Sequence, residues 1–97
     1  MIWGLIMLES KIEKDSVKEA KKHGWYSFKV LSQLNKGLPD RAFIKNGKTV
    51  YIEYKQPGKK PKPLQSKVHQ IFSDYGVKVH IATSAEETME ILNNEIK

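Results

Sequence analysis

The chain contains no cysteine. Neither a disulfide nor a thiolate-bound zinc can hold the fold or carry the chemistry, and a reducing interior suits such a protein. Arginine is almost absent as well: Arg41 stands alone, and the rest of the positive charge is lysine. With Lys+Arg 17 against Asp+Glu 11 the formal net charge is +6. That excess favours a polyanionic partner, nucleic acid being the commonest. Lysine is a flexible point charge suited to phosphate, whereas paired contacts to base edges usually come from arginine. Recognition of backbone and shape is therefore expected rather than recognition of base sequence. The chain also lacks a long hydrophobic run. Its opening, "MIWGLIML", is about half the length of a membrane span and has no basic segment before it or small-residue cleavage site after it. It is expected to form a first strand or turn on the core, or a patch against a partner subunit. No internal repeat is present, and 97 residues predict a single domain over positions 1–97.

What remains is a soluble α/β pattern. "ESKIEKDSVKEAKKH" (Glu9–His23) reads as a helix, with Ile12, Val17 and Ala20 making a modest apolar stripe. Gly24 stands where a left-handed C-cap belongs. "WYSFKVL" (Trp25–Leu31) has the aromatic and β-branched content of a strand, and "NKGLPD" (Asn35–Asp40) must be a turn or loop. "RAFIK" and "TVYIEYK" flank Asn46-Gly47, a strong two-residue hairpin turn. The connector "QPGKKPKP" is too rich in proline for regular structure. "LQSKVHQIFSDY" then reads as a helix, "VKVHIAT" as a strand, and "SAEETMEILNNEI" as a helix opened by a Ser84/Glu87 capping box. The predicted order is α-β-β-β-α-β-α. A hairpin followed by a strand-helix-strand crossover implies a mixed central sheet flanked by helices.

The chemistry concentrates on the hairpin. Counting outward from the Asn46-Gly47 turn sets Asp40 opposite Glu53. Like charges that face each other across two strands destabilise a purely structural hairpin. A divalent cation between them removes the conflict, and two carboxylates with a backbone carbonyl and water suit Mg²⁺ or Mn²⁺. Two solvated edge acids with a bulge-shifted register are the structural alternative. Side chains alternate along a strand, so Glu53 shares its face with Lys55, about 7 Å away. Asp, Glu and Lys on one face of a hairpin recur at sites of metal-assisted phosphodiester hydrolysis. There the acids hold the ion, and the lysine orients the nucleophile or offsets charge on the phosphate. The bland reading of Glu53 and Lys55 is a surface ion pair.

"GLPDR" (Gly37–Arg41), followed after a hairpin by "IEYK" (Ile52–Lys55), resembles the PD…ExK signature of restriction-endonuclease-like nucleases. "ESKIEK", "GLPDR", "YIEYKQPGKKPKPLQ" and "GVKVHIATS" together resemble the VRR-NUC domain over almost the whole chain. The glycine before PD, the arginine after it and the K-x-P-x(6)-LQ spacing beyond ExK carry the specificity of that match.

The resemblance implies a restriction-endonuclease-like α/β fold and a metal-dependent DNA endonuclease. Asp40 and Glu53 match the metal-binding acids, the backbone carbonyl of Tyr54 a further ligand, and Lys55 the catalytic lysine. The first-helix glutamate best matches Glu13, acting on Mg²⁺ or Mn²⁺ through water, with Glu9 as its rival one turn earlier. Gln65 matches the glutamine that orients groups in the site. Arg41 is a candidate for phosphate contact or for local pairing with Asp40 or Glu53. Lys59, Lys60 and Lys62 of the connector form a candidate phosphate clamp, or else a solvated loop. The three histidines, His23, His69 and His80, have no ligand spacing and are expected to be structural or surface residues. Trp25, Tyr26 and Phe28 are expected in the core or on a sheet face. Minimal domains of this type, as in phages and bacteria, resemble Holliday-junction resolvases that act as cytoplasmic homodimers on four-way DNA junctions, away from membranes. A flap or nicking endonuclease of repair or replication and a non-cleaving DNA-binding module are the alternatives.

Overall fold

The computed structural model describes residues 2–32 and 36–97, with side chains described from residue 8 onward. The elements follow the predicted order: α1 (Ile2–Lys22), β1 (Tyr26–Lys29), β2 (Arg41–Lys45), β3 (Lys48–Tyr54), α2 (Pro63–Asp74), β4 (Val79–Ala82) and α3 (Ala85–Glu95). The strands form one sheet in the order β1-β2-β3-β4. The first three are mutually antiparallel, and β4 joins parallel to β3. This is the mixed α/β sheet expected from a hairpin followed by a crossover.

The apolar opening is neither a strand nor a turn: its backbone continues α1 back to Ile2. No Gly-Pro breaker or cap separates it from the lysine-rich part, so helix propagation adds hydrogen bonds without a new nucleus. Its role as a partner surface concerns side chains outside the described ones. Asn35 of the predicted loop also lies outside the described residues. Among those described, no helix is long and apolar enough to cross a membrane.

α1 and α3 pack on each other and on one face of the sheet. The core lies there, built from Ala20, Trp25, Phe43, Val50, Ile52, Tyr54, Ala82 and Leu92, with Ile12, Val17, Met89 and Ile91 packed against it. The C-terminus of α1 is closed by Gly24, at φ 86°, and by Lys45, whose Nζ donates to the His23 carbonyl at 2.7 Å. A cation at that end also suits the helix dipole. Ser84 Oγ accepts from Glu87 N at 3.0 Å and caps α3 as expected. Glu87 reaches back one residue further than a capping box requires, accepting from Thr83 N at 3.0 Å.

The other face carries α2 alone. Antiparallel partners share a face, so Tyr26, Phe28, Ala42, Ile44 and Tyr51 lie on one side. α2 covers the β3 side of it, where Phe72 packs edge-on against Tyr51 with ring centroids 5.4 Å apart. The apolar spacing of α2 suggests a buried stripe, yet only Val68 is buried. Leu64, Ile71 and Tyr75 are exposed, as are Tyr26 and Phe28 on the sheet. One 12-residue helix is too narrow to cover four strands, since a helix with its side chains is about 10–12 Å across and strands lie about 4.8 Å apart.

Candidate active site at the β3–α2 corner

The hairpin turns at Asn46-Gly47, both at positive φ. Pairing runs from Lys45↔Lys48 to Arg41↔Ile52. Asp40 lies one residue beyond the last paired position, and the chain bends there. Its carbonyl still accepts from Val30 N at 3.0 Å. Its side chain turns toward β3, where Oδ2 accepts from Tyr54 N at 2.7 Å. The expected opposition of Asp40 and Glu53 is thus met in a modified form. Asp40 is tied to the residue after Glu53, and the two carboxylates still repel.

Glu53 is 1% exposed, although it is charged in water and lies one residue from the strand's end. Gln65, in the first turn of α2, donates Nε2–H to Glu53 Oε2 at 2.6 Å. The same Gln65 accepts Lys62 N–H through Oε1 at 2.9 Å, which ends the loop and starts the helix. One side chain therefore fixes both the helix N-terminus and a carboxylate oxygen. Lys55 Nζ stands 3.6 Å from Glu53 Oε2, and Lys55 as a residue is only 7% exposed. The ion pair is real but buried, not a surface pair. Glu53 Oε1 is fully buried and has no hydrogen-bond partner.

The electrostatics follow from that burial. Loss of water, then the charge of Asp40, pushes Glu53 up to about 7, against a partial opposing effect of Lys55. Asp40 is raised mainly by burial, with the Tyr54 N–H pulling the other way. Glu9 adds repulsion at both acids. An orphaned buried carboxylate oxygen beside a second carboxylate fits a hard divalent cation. Among the described residues no three His, Asp or Glu side chains converge closely enough to hold a metal by themselves. The remaining ligands would have to come from the Tyr54 carbonyl and water, as suits an ion that keeps part of its hydration shell.

Two expected site residues are engaged elsewhere. Arg41 donates Nε–H to Glu13 Oε2 at 2.6 Å and reaches Ser27 Oγ at 3.2 Å. It pairs with neither Asp40 nor Glu53, because its strand alternation sends it to the α1 face. Glu13, the better match for the first-helix acid, is held by Arg41 and lies 3.7 Å from Lys29 Nζ. Glu9, one turn earlier, makes no ion pair among the described residues and acts electrostatically on both Asp40 and Glu53. Glu13, Arg41, Lys14 and Lys29 line a separate cleft of about 300 Å³.

Gly37 sets the distance between the Asp40 loop and α2. Its φ is +94°, and a Cβ there would lie 2.9 Å from the Leu64 carbonyl oxygen and 3.0 Å from Val68. In the connector, Gln56-Pro57-Gly58-Lys59 forms a turn with Lys59 N donating to Gln56 O at 3.1 Å and Gly58 at φ 84°. Proline and glycine occupy the central positions a type II turn prefers. Lys59, Lys60 and Lys62 project from it into solvent. His69 was missed as a neighbour of the site. It follows Gln65 by four residues on α2, hence on the same helix face, and that spacing is the signal in the sequence.

The sequence is 35% identical over 82 residues to "Putative nuclease p44" of Acyrthosiphon pisum secondary endosymbiont phage 1, covering 84% of this chain and 88% of that protein. The fold matches a solved structure described as a VRR_NUC domain with a TM-score of 0.79, over 89% of this chain and 95% of that one, at 22% identity. The chain belongs to the VRR-NUC nuclease family. No family model matches the sequence. In this VRR-NUC domain the PD…ExK residues of the resemblance come together at one corner of the sheet. Gln65 joins them through its bond to Glu53. The connector lysines stand at the rim.

Proposed function

We propose that this VRR-NUC domain is a Mg²⁺- or Mn²⁺-dependent DNA endonuclease that hydrolyses phosphodiester bonds. The observation that carries the reading is Glu53: a carboxylate buried with one oxygen orphaned, beside Asp40 and 3.6 Å from a buried lysine. A purely structural sheet gains nothing from such a group, and burial without compensation is unfavourable.

Asp40 and Glu53 would hold the ion, with the Tyr54 carbonyl as a further ligand and Glu9 in preference to Glu13 acting through water. The bound ion supplies Lewis acidity toward the phosphate and water. The Asp40–Tyr54 N–H bond fixes one carboxylate relative to the Tyr54 peptide. Gln65 fixes the other by occupying Oε2 and leaving Oε1 to face the ion. Lys55, with little water around it, places a positive charge where the phosphate gains negative charge on attack. Lys59, Lys60 and Lys62 would bind flanking phosphates without reading bases. Arg41 is better assigned to holding Glu13 than to DNA.

A four-way junction is the substrate we favour, cut by a homodimer. Support comes from the apolar side chains left exposed on the α2 side, Tyr26, Phe28, Ile71 and Tyr75, on a chain whose net charge otherwise opposes self-association. A two-fold dimer presents two sites to a two-fold branched substrate. The test is cleavage of four-way junction, flap, nicked and linear DNA with Mg²⁺ or Mn²⁺, alongside Lys55→Ala and sedimentation analysis. Junction cutting by a dimer, lost in the variant, is expected. A monomer that prefers flaps would remove the junction reading and leave the nuclease. Equal cutting by wild type and Lys55→Ala would remove the mechanism.

A further inference from the structure

His69 lies on the α2 face that carries Gln65, one helical turn further along. Its Nε2 is completely buried and has no hydrogen-bond partner. Burial first, and then the positive charge of Lys55, hold the imidazole below its usual range, so the ring is neutral and Nε2 is available as an acceptor. Lys55 offers the complementary shortage. Its Nζ is 3.6 Å from Glu53 Oε2, an ion-pair distance but longer than a hydrogen bond. A lysine ammonium carries three donors on a flexible stem, and a buried acceptor without a donor is unfavourable.

We propose that His69 is a positioning residue of this site, its Nε2 accepting a hydrogen bond from the Lys55 ammonium so that the lysine is held between β3 and α2. The inference rests on the assignment of Lys55 to cleavage only for its functional consequence; the hydrogen bond stands or falls separately. Glu53 draws the ammonium from the strand side, Gln65 keeps Glu53 in place, and His69 gives the ammonium a neutral acceptor on the helix side. A neutral acceptor directs the lysine without cancelling its charge, which a second carboxylate would do.

Two measurements decide it. In the whole protein labelled with ¹⁵N-histidine, the Nε2 resonance of His69 should carry the signature of an unprotonated, hydrogen-bonded nitrogen and move when Lys55 is replaced by Met. An Nε2 signal that ignores Lys55→Met overturns the contact, whether or not the protein cuts DNA. In cleavage of the preferred DNA with Mn²⁺, His69→Leu should lose roughly tenfold in kcat with KM unchanged, and His69→Gln, which keeps a polar atom at that reach, should stay within about threefold of wild type. His69→Leu cutting at the wild-type rate, or His69→Gln failing as badly as His69→Leu, overturns the positioning role. If Lys55→Ala cuts as well as wild type, the nuclease assignment of Lys55 fails instead, and the resonance of His69 still decides the hydrogen bond.

Discussion

Gln65 donates to one oxygen of Glu53 at 2.6 Å, and the other oxygen of Glu53 is buried without a partner. The two residues lie on different elements, β3 and α2, joined by a lysine- and proline-rich loop. The bond makes the geometry of the carboxylate depend on how α2 begins, because the same Gln65 closes the helix N-terminus. It also divides the carboxylate into a fixed oxygen and an available one.

Glu53→Gln keeps the shape and removes the charge. It is expected to weaken Mn²⁺ binding at least tenfold by titration calorimetry while leaving the metal-free melting temperature at pH 8 unchanged or higher. Removing an uncompensated buried charge relieves the folded state. Undiminished Mn²⁺ affinity would show that the ion, if bound, sits elsewhere.

The pH dependence of stability carries a definite sign. Glu53 rises from 4.5 to about 7 on folding, so between those values the folded state holds the proton and the unfolded state has released it. Protonation therefore favours folding, and stability declines as pH rises from about 4.5 through 7. A shift of that size is on the order of 3 kcal/mol at most. In the presence of a chelator, the melting temperature should be several degrees lower at pH 8 than at pH 5.5, and Mn²⁺ should restore it at pH 8. A flat profile would contradict the burial of a charged Glu53.

The connector lysines are testable through salt. Changing Lys59, Lys60 and Lys62 together to Gln should reduce the salt dependence of DNA binding by roughly two to three in the log–log slope, about 0.9 per phosphate contact. Arg41→Gln should leave that slope nearly unchanged and lower the melting temperature, because it strands the half-buried Glu13. An unchanged slope in the lysine variant would return the connector to a solvated loop.

Gly37→Ala introduces a Cβ 2.9 Å from the Leu64 carbonyl at a backbone conformation with φ of +94°. Backbone strain of this kind is of order 1–3 kcal/mol, and either Asp40 or the start of α2 must move to relieve it. Denaturant unfolding should show that loss, with Mn²⁺ affinity falling alongside it. A variant as stable as wild type with full affinity would show that the loop does not set the position of Asp40.

Much of this was legible before any coordinates. The Asn46-Gly47 turn set the register of β2 and β3, since a two-residue turn leaves no freedom in pairing. That register in turn put Glu53 and Lys55 on one face, opposite the core. The apolar opening misled, because hydrophobic content without period does not separate a strand from a helix. Arg41 misled for a related reason: its place beside Asp40 in the chain says nothing of the α1 side chain waiting across the sheet. His69 escaped notice because a lone histidine has no spacing to read until Gln65 is known to point at Glu53.

The sequence by itself determined the order of elements, the hairpin register and the acid–acid–lysine set, all of which follow from local conformational preference and strand alternation. Tertiary structure alone decided which glutamate of α1 stays available, how deeply Glu53 and Lys55 are buried, and that Gln65 and His69 close over them from α2. Those depend on packing between elements far apart in the chain. Burial is also what converts an ordinary surface ion pair into a site, since it removes the water that would otherwise satisfy every charge in it.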